Sequence, residues 1–176
     1  LNENLIISGS SCSDKKVSDF AMENSIEGFE FLSCIPGSIG GGIKMNAGCY
    51  GKEFKDIIVS VQVMDFNGNI NTISSSSISF KYRSTNLPKD LIYLSGTFKG
   101  NLSDRAKIKS KIDELKNKKE LSQPLRVKTS GSTFKNPLEQ SDKKVWELIK
   151  ESVDIKAANE MFGDAKLSEK HWSFLI

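Results

Sequence analysis

Residues 35–51 read IPGSIGGGIKMNAGCYG, with six glycines among seventeen positions and Lys44 as the only charge. Glycine lets the backbone take positive φ and lets a ligand approach with no Cβ in the way. Successive exposed N–H groups in such a stretch form a concavity suited to an anion, typically a phosphate or pyrophosphate. The stretch fits neither common phosphate pattern. It lacks the Lys-Ser/Thr ending of a P-loop, and its glycines do not follow GxGxxG spacing after a strand. Glycine content alone supports a tight structural turn equally well. Ser38 and Asn46 are the side-chain donors that an anion-binding loop would add.

Upstream, residues 13–24 carry a helical pattern. Ser13 is placed to cap it, and Val17, Phe20 and Ala21 recur on one face. Gly28 ends the turn that follows, and Phe29, Phe31 and Leu32 lead into the core. Downstream, residues 57–66 alternate, with Ile57, Val59, Val61 and Val63 on one side and Ser60 and Gln62 on the other. Asn67-Gly68 is a strong hairpin signal, with a returning strand over 69–73. After the serine connector 74–77, a strand over 78–83 puts Ile78, Phe80 and Tyr82 on one face, with Lys81 and Arg83 opposite. Residues 91–98 close a mostly antiparallel sheet. An amphipathic helix over 103–120 carries Ile108, Ile112 and Leu115 as its stripe. A boundary follows near 119–123, then a second helix over 142–153 and a short segment from Phe162 to Ile176. Residues 152–159 between them read as irregular.

The 176 residues, 38% apolar and 27% charged, suffice for one good core or two small domains. The uncharged stretch around 35–43 is far too short to span a membrane. A net charge of +3, scattered and without a basic face interleaved with aromatics, argues against nucleic acid. The lysines of 107–119 have Asp113, Glu114 and Glu120 among them and read as a solvated helix face. Cys12, Cys34 and Cys49 share no CxxC spacing, and His171 is the only histidine, so a zinc site is not expected. Reduced thiols in a cytoplasmic protein are the simplest account. Leu1 is not an initiator methionine, and Phe174-Leu175-Ile176 ends without a closing turn. The sequence therefore reads as a piece of a longer protein.

Two further strings bear on chemistry. Arg83, in Phe80-Lys81-Tyr82-Arg83-Ser84, is either a solvated sheet-surface cation or a clamp for a carboxylate. Residues 130–137, SGSTFKNP, read by themselves as an ordinary polar turn. In order along the chain, GFEFLSCIPGSIGGGIKMNAGCYGKE, FKYRST, QPLRVKTSGSTFKNP and FGDAKLSEKHWSFLI resemble the UDP-N-acetylenolpyruvoylglucosamine reductase family. The resemblance covers nearly the whole chain and is to the compact form, without the tyrosine-bearing insertion.

It implies an α+β fold: the second half of an FAD-binding (PCMH-type) unit over 1–120, then part of a small α/β substrate-binding domain over 121–176. It implies that Pro36, Gly37, Ser38, Ile39, Gly40, Asn46, Ala47 and Gly48 contact FAD, with amides at the pyrophosphate. Arg83 falls on the arginine of the YRxS motif and Ser132 on the serine of GSxFKNP, both as catalytic residues. Tyr82, Lys135 and Asn136 are the implied substrate contacts, and His171 is assigned to packing. In the implied reaction NADPH reduces FAD, hydride reaches the enolpyruvyl C3, Arg83 holds the carboxylate and Ser132 protonates C2. The family's preceding domain is represented here only by residues 7–10, and its catalytic glutamate lies beyond Ile176. Alternatives are another FAD-dependent oxidoreductase of the superfamily, or a non-catalytic remnant. The expected partner is a small molecule, with no nucleic acid, no membrane and a monomeric state.

Overall fold

Ile6 and Ser8 turn inward from β1 (Leu5–Gly9), a strand not foreseen in the sequence, which laces antiparallel onto a later strand in register Ile6–Phe98. The computed structural model describes residues 4–124, 128–129, 131–137, 141–161 and 164–176. It divides into two units, Leu1–Lys116 and Asn117–Ile176. In the first unit β1 is followed by α1 (Asp14–Glu23), β2 (Ile26–Glu27), α2 (Ile39–Lys44), β3 (Gly48–Cys49), β4 (Lys52–Glu53), β5 (Ile58–Met64) and β6 (Ile70–Ser74). Then come β7 (Phe80–Lys81), β8 (Ser84–Thr85), β9 (Ile92–Lys99), β10 (Asn101–Leu102) and α3 (Arg105–Ser122), within which the division falls. The main sheet has order β1-β9-β5-β6, antiparallel throughout. The α+β class with a mostly antiparallel sheet is as expected.

Helix α1 starts where its cap predicts. The Ser13 hydroxyl accepts from the Lys16 amide at 3.4 Å, and Asn24 closes the far end. Its buried face is Asp14, Val17, Ser18 and Ala21 rather than the expected Val17, Phe20, Ala21 stripe; Phe20 is exposed. A chain of edge-to-face rings, Phe31–Phe54–Phe98–Phe29, with centroids 5.9–6.5 Å apart, ties the segments on either side of the glycine stretch to the sheet. Each such pair adds about 0.5–1.5 kcal/mol beyond its burial.

Strand β5 departs from clean alternation. Ile57 and Ile58 are both buried, while Val59 is exposed. The ladder to β9 jumps from Ile58–Phe98 to Ser60–Thr97, so Val59 is the extra residue of a bulge. A bulge inserts one unpaired residue and resets which side chains face inward. The hairpin to β6 is also longer than two residues. Gly68 (φ +87°) donates to the Asp65 carbonyl, and the Asp65 carboxylate accepts from the amides of Asn67 and Asn69. The Asn69 side-chain amide, first among these donors, holds Asp65 below the usual carboxylate range.

The expected strand over 78–83 exists only as Phe80–Lys81. It turns at Tyr82-Arg83 and pairs back as Phe80–Thr85 and Lys81–Ser84. Arg83 therefore lies in a tight turn with φ +53°, not on a strand face. On α3, Ile108, Ile112 and Leu115 are buried as the stripe predicts. Its exposed pairs Lys109–Asp113 and Lys111–Glu114 contribute a few tenths of a kcal/mol each. None of the helices among the described residues is long and apolar enough to cross a membrane.

The second unit holds α4 (Val145–Ser152) and α5 (Ile155–Met161). α5 occupies the stretch expected to be irregular. Its start is capped by Asp154, whose carboxylate accepts from the amides of Lys156 (2.9 Å) and Ala157 (3.3 Å). Asn159 fastens the helix to the following segment by a two-way bond with the Leu167 backbone. Residues 166–176 fold on themselves, Lys166 and Ile176 exchanging backbone bonds of 3.0 and 2.8 Å.

Candidate functional site

The glycine stretch is not an open loop. After the Pro36-Gly37 turn, Ser38 leads into helix α2, so Gly40, Gly41 and Gly42 are helical. Their lack of side chains is a packing requirement at two positions. A Cβ on Gly40 would lie 2.9 Å from Cβ of Ser10, and one on Gly42 would lie 2.2 Å from the Phe54 ring. A Cβ on Gly41 would meet nothing closer than the Ser38 hydroxyl at 3.5 Å.

The same close approach engages two amides assigned to the pyrophosphate. Ile39 N–H donates to the Cys12 carbonyl and Gly40 N–H to the Ser10 carbonyl, both at 2.9 Å, and the Ile39 side chain is in the core. The amides of Gly37 and Ser38, by contrast, donate to no carbonyl or side chain among the described residues. Pro36 and Gly37 are exposed and Ser38 half-buried. The Gly37-Ser38 corner therefore offers unengaged amides of the kind that can hold an anion such as a pyrophosphate.

Asn46 is fully buried at φ +40°. Its amide donates to the Glu53 carboxylate (2.9 Å) and the Lys81 carbonyl (3.2 Å), while its oxygen accepts from Lys55 N–H (3.0 Å). It thus braces three segments from inside the wall. Ala47 donates to the Gly42 carbonyl and accepts from Phe54 N–H. Gly48 sits where a Cβ would fall 2.3 Å from the Lys52 carbonyl.

That brace brings two of the sequence strings together. The Arg83 guanidinium donates to the Gly48 carbonyl at 2.7 Å and reaches the Asn46 carbonyl at 3.5 Å, with its carbon 4.9 Å from the Tyr82 ring centre. Gly48, Tyr82 and Arg83 line one cleft of about 460 Å³, with Lys52, Lys55, Glu53 and Asp56 at its edge. Glu53, paired with Lys55 at 2.9 Å, holds that ammonium above the usual lysine range. Arg83 supplies fixed positive charge on this wall.

In the second unit, Ser132 is exposed and pairs in an antiparallel bridge with Phe174. Its hydroxyl lies 2.9 Å from that of Ser173 and 3.3 Å from the Phe134 carbonyl. Ser173 is fully buried, and its hydroxyl lies 2.9 Å from His171 Nδ1. The His171 ring is held between Trp146 (5.9 Å) and Phe174 (4.8 Å), and burial pushes its pKa below the ordinary value. Asn136 accepts from Val145 N–H at 3.0 Å, fixing the start of α4, and Lys135 is exposed. Of the motif around them, 125–127 and 130 lie outside the described residues, as do Phe162 and Gly163 of the last string.

Sequence reasoning passed over two groups. Asp14 is fully buried on α1, with both carboxylate oxygens unpartnered among the described residues and a Gly37 Cβ position only 2.7 Å from Oδ2. Desolvation pushes its pKa up to about 7. Ser173 enters the sequence reading only as one letter of the FGDAKLSEKHWSFLI string, with no role attached. No local signal marks either residue, since both follow from what packs over them.

Comparison with known proteins extends this picture. Residues 2–74 match a family model described as FAD binding domain. UDP-N-acetylenolpyruvoylglucosamine reductase of Pelagibacter ubique is 56% identical over 176 residues, and that of Rickettsia massiliae 47% over 174. The alignments take in 100% and 99% of this chain, which spans 57% of the length of each relative. The crystal structure of UDP-N-acetylenolpyruvylglucosamine reductase from Thermus caldophilus superposes with a TM-score of 0.82 at 27% identity, over 97% of this chain and 61% of that one. The resemblance carried by the four strings is borne out.

Proposed function

We infer that this chain belongs to the UDP-N-acetylenolpyruvoylglucosamine reductases and contributes to an FAD-dependent reduction of UDP-N-acetylglucosamine enolpyruvate to UDP-N-acetylmuramate. The observation that carries this reading is 56% identity over the whole chain to a reductase of that name, joined to the Arg83–Gly48 contact that unites two of its motifs. The first unit supplies the FAD contacts together with Tyr82 and Arg83, and the second supplies Ser132, Lys135 and Asn136 toward the substrate. When bound, FAD supplies the redox chemistry, passing reducing equivalents from NADPH to the enolpyruvyl double bond.

Within that reaction the chain's own groups have distinct tasks. The Gly37-Ser38 amides hold the pyrophosphate, with Pro36 setting the corner; Ile39, Gly40, Asn46, Ala47 and Gly48 shape the wall behind it. Arg83 faces charge that grows on the substrate carboxylate as C3 is reduced, and a donor placed for the transition state is worth roughly 2.7–4 kcal/mol. Ser132 gives its proton to C2, a strongly basic carbon for which a weak acid suffices when held in reach. Tyr82, Lys135 and Asn136 complete the substrate contacts. We take the enzyme to be a cytoplasmic monomer.

The test uses the full-length protein, reduced with NADPH in the absence of air. UDP-N-acetylglucosamine enolpyruvate should reoxidise the flavin stoichiometrically. Arg83→Ala should keep its flavin yet lose turnover by roughly 100- to 1000-fold. Ser132→Ala should be reduced by NADPH at the normal rate and reoxidise slowly. A protein that carries flavin but ignores this substrate belongs to another oxidoreductase of the superfamily, and one that binds no flavin overturns the reading outright.

A further inference from the structure

Ser132 does not stand alone. Antiparallel pairing of Ser132 with Phe174, reinforced by Thr133 N–H to the Ser173 carbonyl at 2.8 Å, sets the Ser132 and Ser173 hydroxyls side by side at 2.9 Å. The turn closed by Phe174 N–H on the His171 carbonyl (2.9 Å) brings Ser173 back onto His171 Nδ1, again at 2.9 Å. The outer hydroxyl is exposed, the middle one fully buried, and the imidazole clamped between two aromatic rings. A hydroxyl buried to that degree has no water to orient it, so its hydrogen goes where its two neighbours direct.

We propose that His171 and Ser173 are positioning residues for Ser132, with Nδ1–H donating to the Ser173 oxygen and Ser173 donating to the Ser132 oxygen. This rests on the function inferred above and deepens it. The direction follows from the chemistry: the Ser132 hydrogen is free to point outward only when it is not spent on the Ser173 oxygen, which makes Ser173 the donor of that pair. As the C–H bond forms at C2, the electron pair of the carbanion takes the Ser132 proton and the O–H pair stays on Oγ. The Ser173 hydroxyl, already aimed at that oxygen, stabilises the alkoxide until solvent returns a proton to it. Charge-assisted hydrogen bonds of this kind are about twice as strong as neutral ones. The Ser132 Oγ also lies 3.3 Å from the Phe134 carbonyl, an acceptor that competes for its hydrogen. Burial, the largest influence, and Lys144 disfavour the imidazolium against a hydrogen bond to the His171 backbone that favours it, and the net shift is downward.

The proposal is tested in the full-length holoenzyme and, independently of turnover, in the flavin-free protein. Ser173→Ala should slow reoxidation of reduced flavin by the enolpyruvyl substrate on the order of 100-fold, the scale of one lost oxyanion donor. It should leave reduction by NADPH unchanged. In a Ser132→Ala background the same substitution should add nothing, because Ser173 acts only through Ser132. His171→Phe keeps an aromatic ring between Trp146 and Phe174 but removes the donor; His171→Asn loses the ring and keeps an N–H near Nδ1. The proposal requires His171→Asn to be the faster of the two, whereas a packing role requires the reverse. Imidazole nitrogen NMR of the flavin-free protein should show the His171 proton on Nδ1. A proton on Nε2, additive Ser132 and Ser173 effects, or a faster Phe variant each overturns the proposal. Failure of the functional reading looks different: unsubstituted protein would not be reoxidised by this substrate at all, and the tautomer would still decide the arrangement.

Discussion

Asp14 shows how far one residue's behaviour departs from its type. Its place in the first turn of α1 favours the carboxylate by about 0.3–1 kcal/mol through the helix dipole. Full burial without a partner among the described residues acts the other way and is larger. Moving a carboxyl from 3.8 to about 7 corresponds to on the order of 4 kcal/mol once it is ionised. Because the folded value lies above the unfolded one, the protonated group's advantage is present below about pH 4 and is lost as pH rises through about 7. Asp14→Asn removes that dependence. Denaturant unfolding of the variant should therefore gain on the unsubstituted protein between about pH 4 and about pH 7 and level off above. Parallel stability curves over this range would show that Asp14 does not titrate as a buried group. The amide introduced shifts both ends equally and does not enter the slope.

For elements, helix α2 is the instructive case. Three consecutive glycines are poor helix formers, each weaker than alanine by roughly 1 kcal/mol. They persist for different reasons. Gly42→Ala drives a methyl into the Phe54 ring, which is locked edge-on to Phe31 and Phe98. Overpacking there should cost about 1–3 kcal/mol net of the gain in propensity. Gly41→Ala meets only ordinary contact and should be neutral or stabilise by up to about 1 kcal/mol. Thermal melts of the two flavin-free variants should move in opposite directions; a shared direction would mean that propensity, not the Phe54 contact, governs α2. Much of this level was legible beforehand. The Ser13 cap, the Ile108/Ile112/Leu115 stripe and the Asn67-Gly68 turn act through neighbours in the chain. The bulge at Val59 and the hairpin at Tyr82-Arg83 were not legible, because β9 and the Gly48 carbonyl impose them from about 35 or more positions away.

For the molecule as a whole, the two units have separate interiors. The main cluster, from Ile6 to Phe98, lies wholly within the first unit. The second closes over Ile155, Ser168, Ser173 and Phe174. A fragment of residues 1–122 should accordingly unfold as one cooperative transition by circular dichroism, retaining the sheet. A broad, non-cooperative melt of that fragment would mean that its core depends on the rest of the chain. Arg83 belongs to the first unit and Ser132 to the second.

The resemblance carried by the four strings anticipated the α+β class and the FAD-binding match over residues 2–74, and it singled out Arg83 and Ser132 for the proposed chemistry. Tertiary structure alone decided which of their partners count. It decided that Ile39 and Gly40 turn their amides inward, that Asn46 braces a wall, that Asp14 is buried, and that Ser173 and His171 stand behind Ser132. These are matters of burial and hydrogen-bond direction between segments far apart in the chain. Such properties belong to a pair of residues brought together by folding and are carried by neither one in isolation.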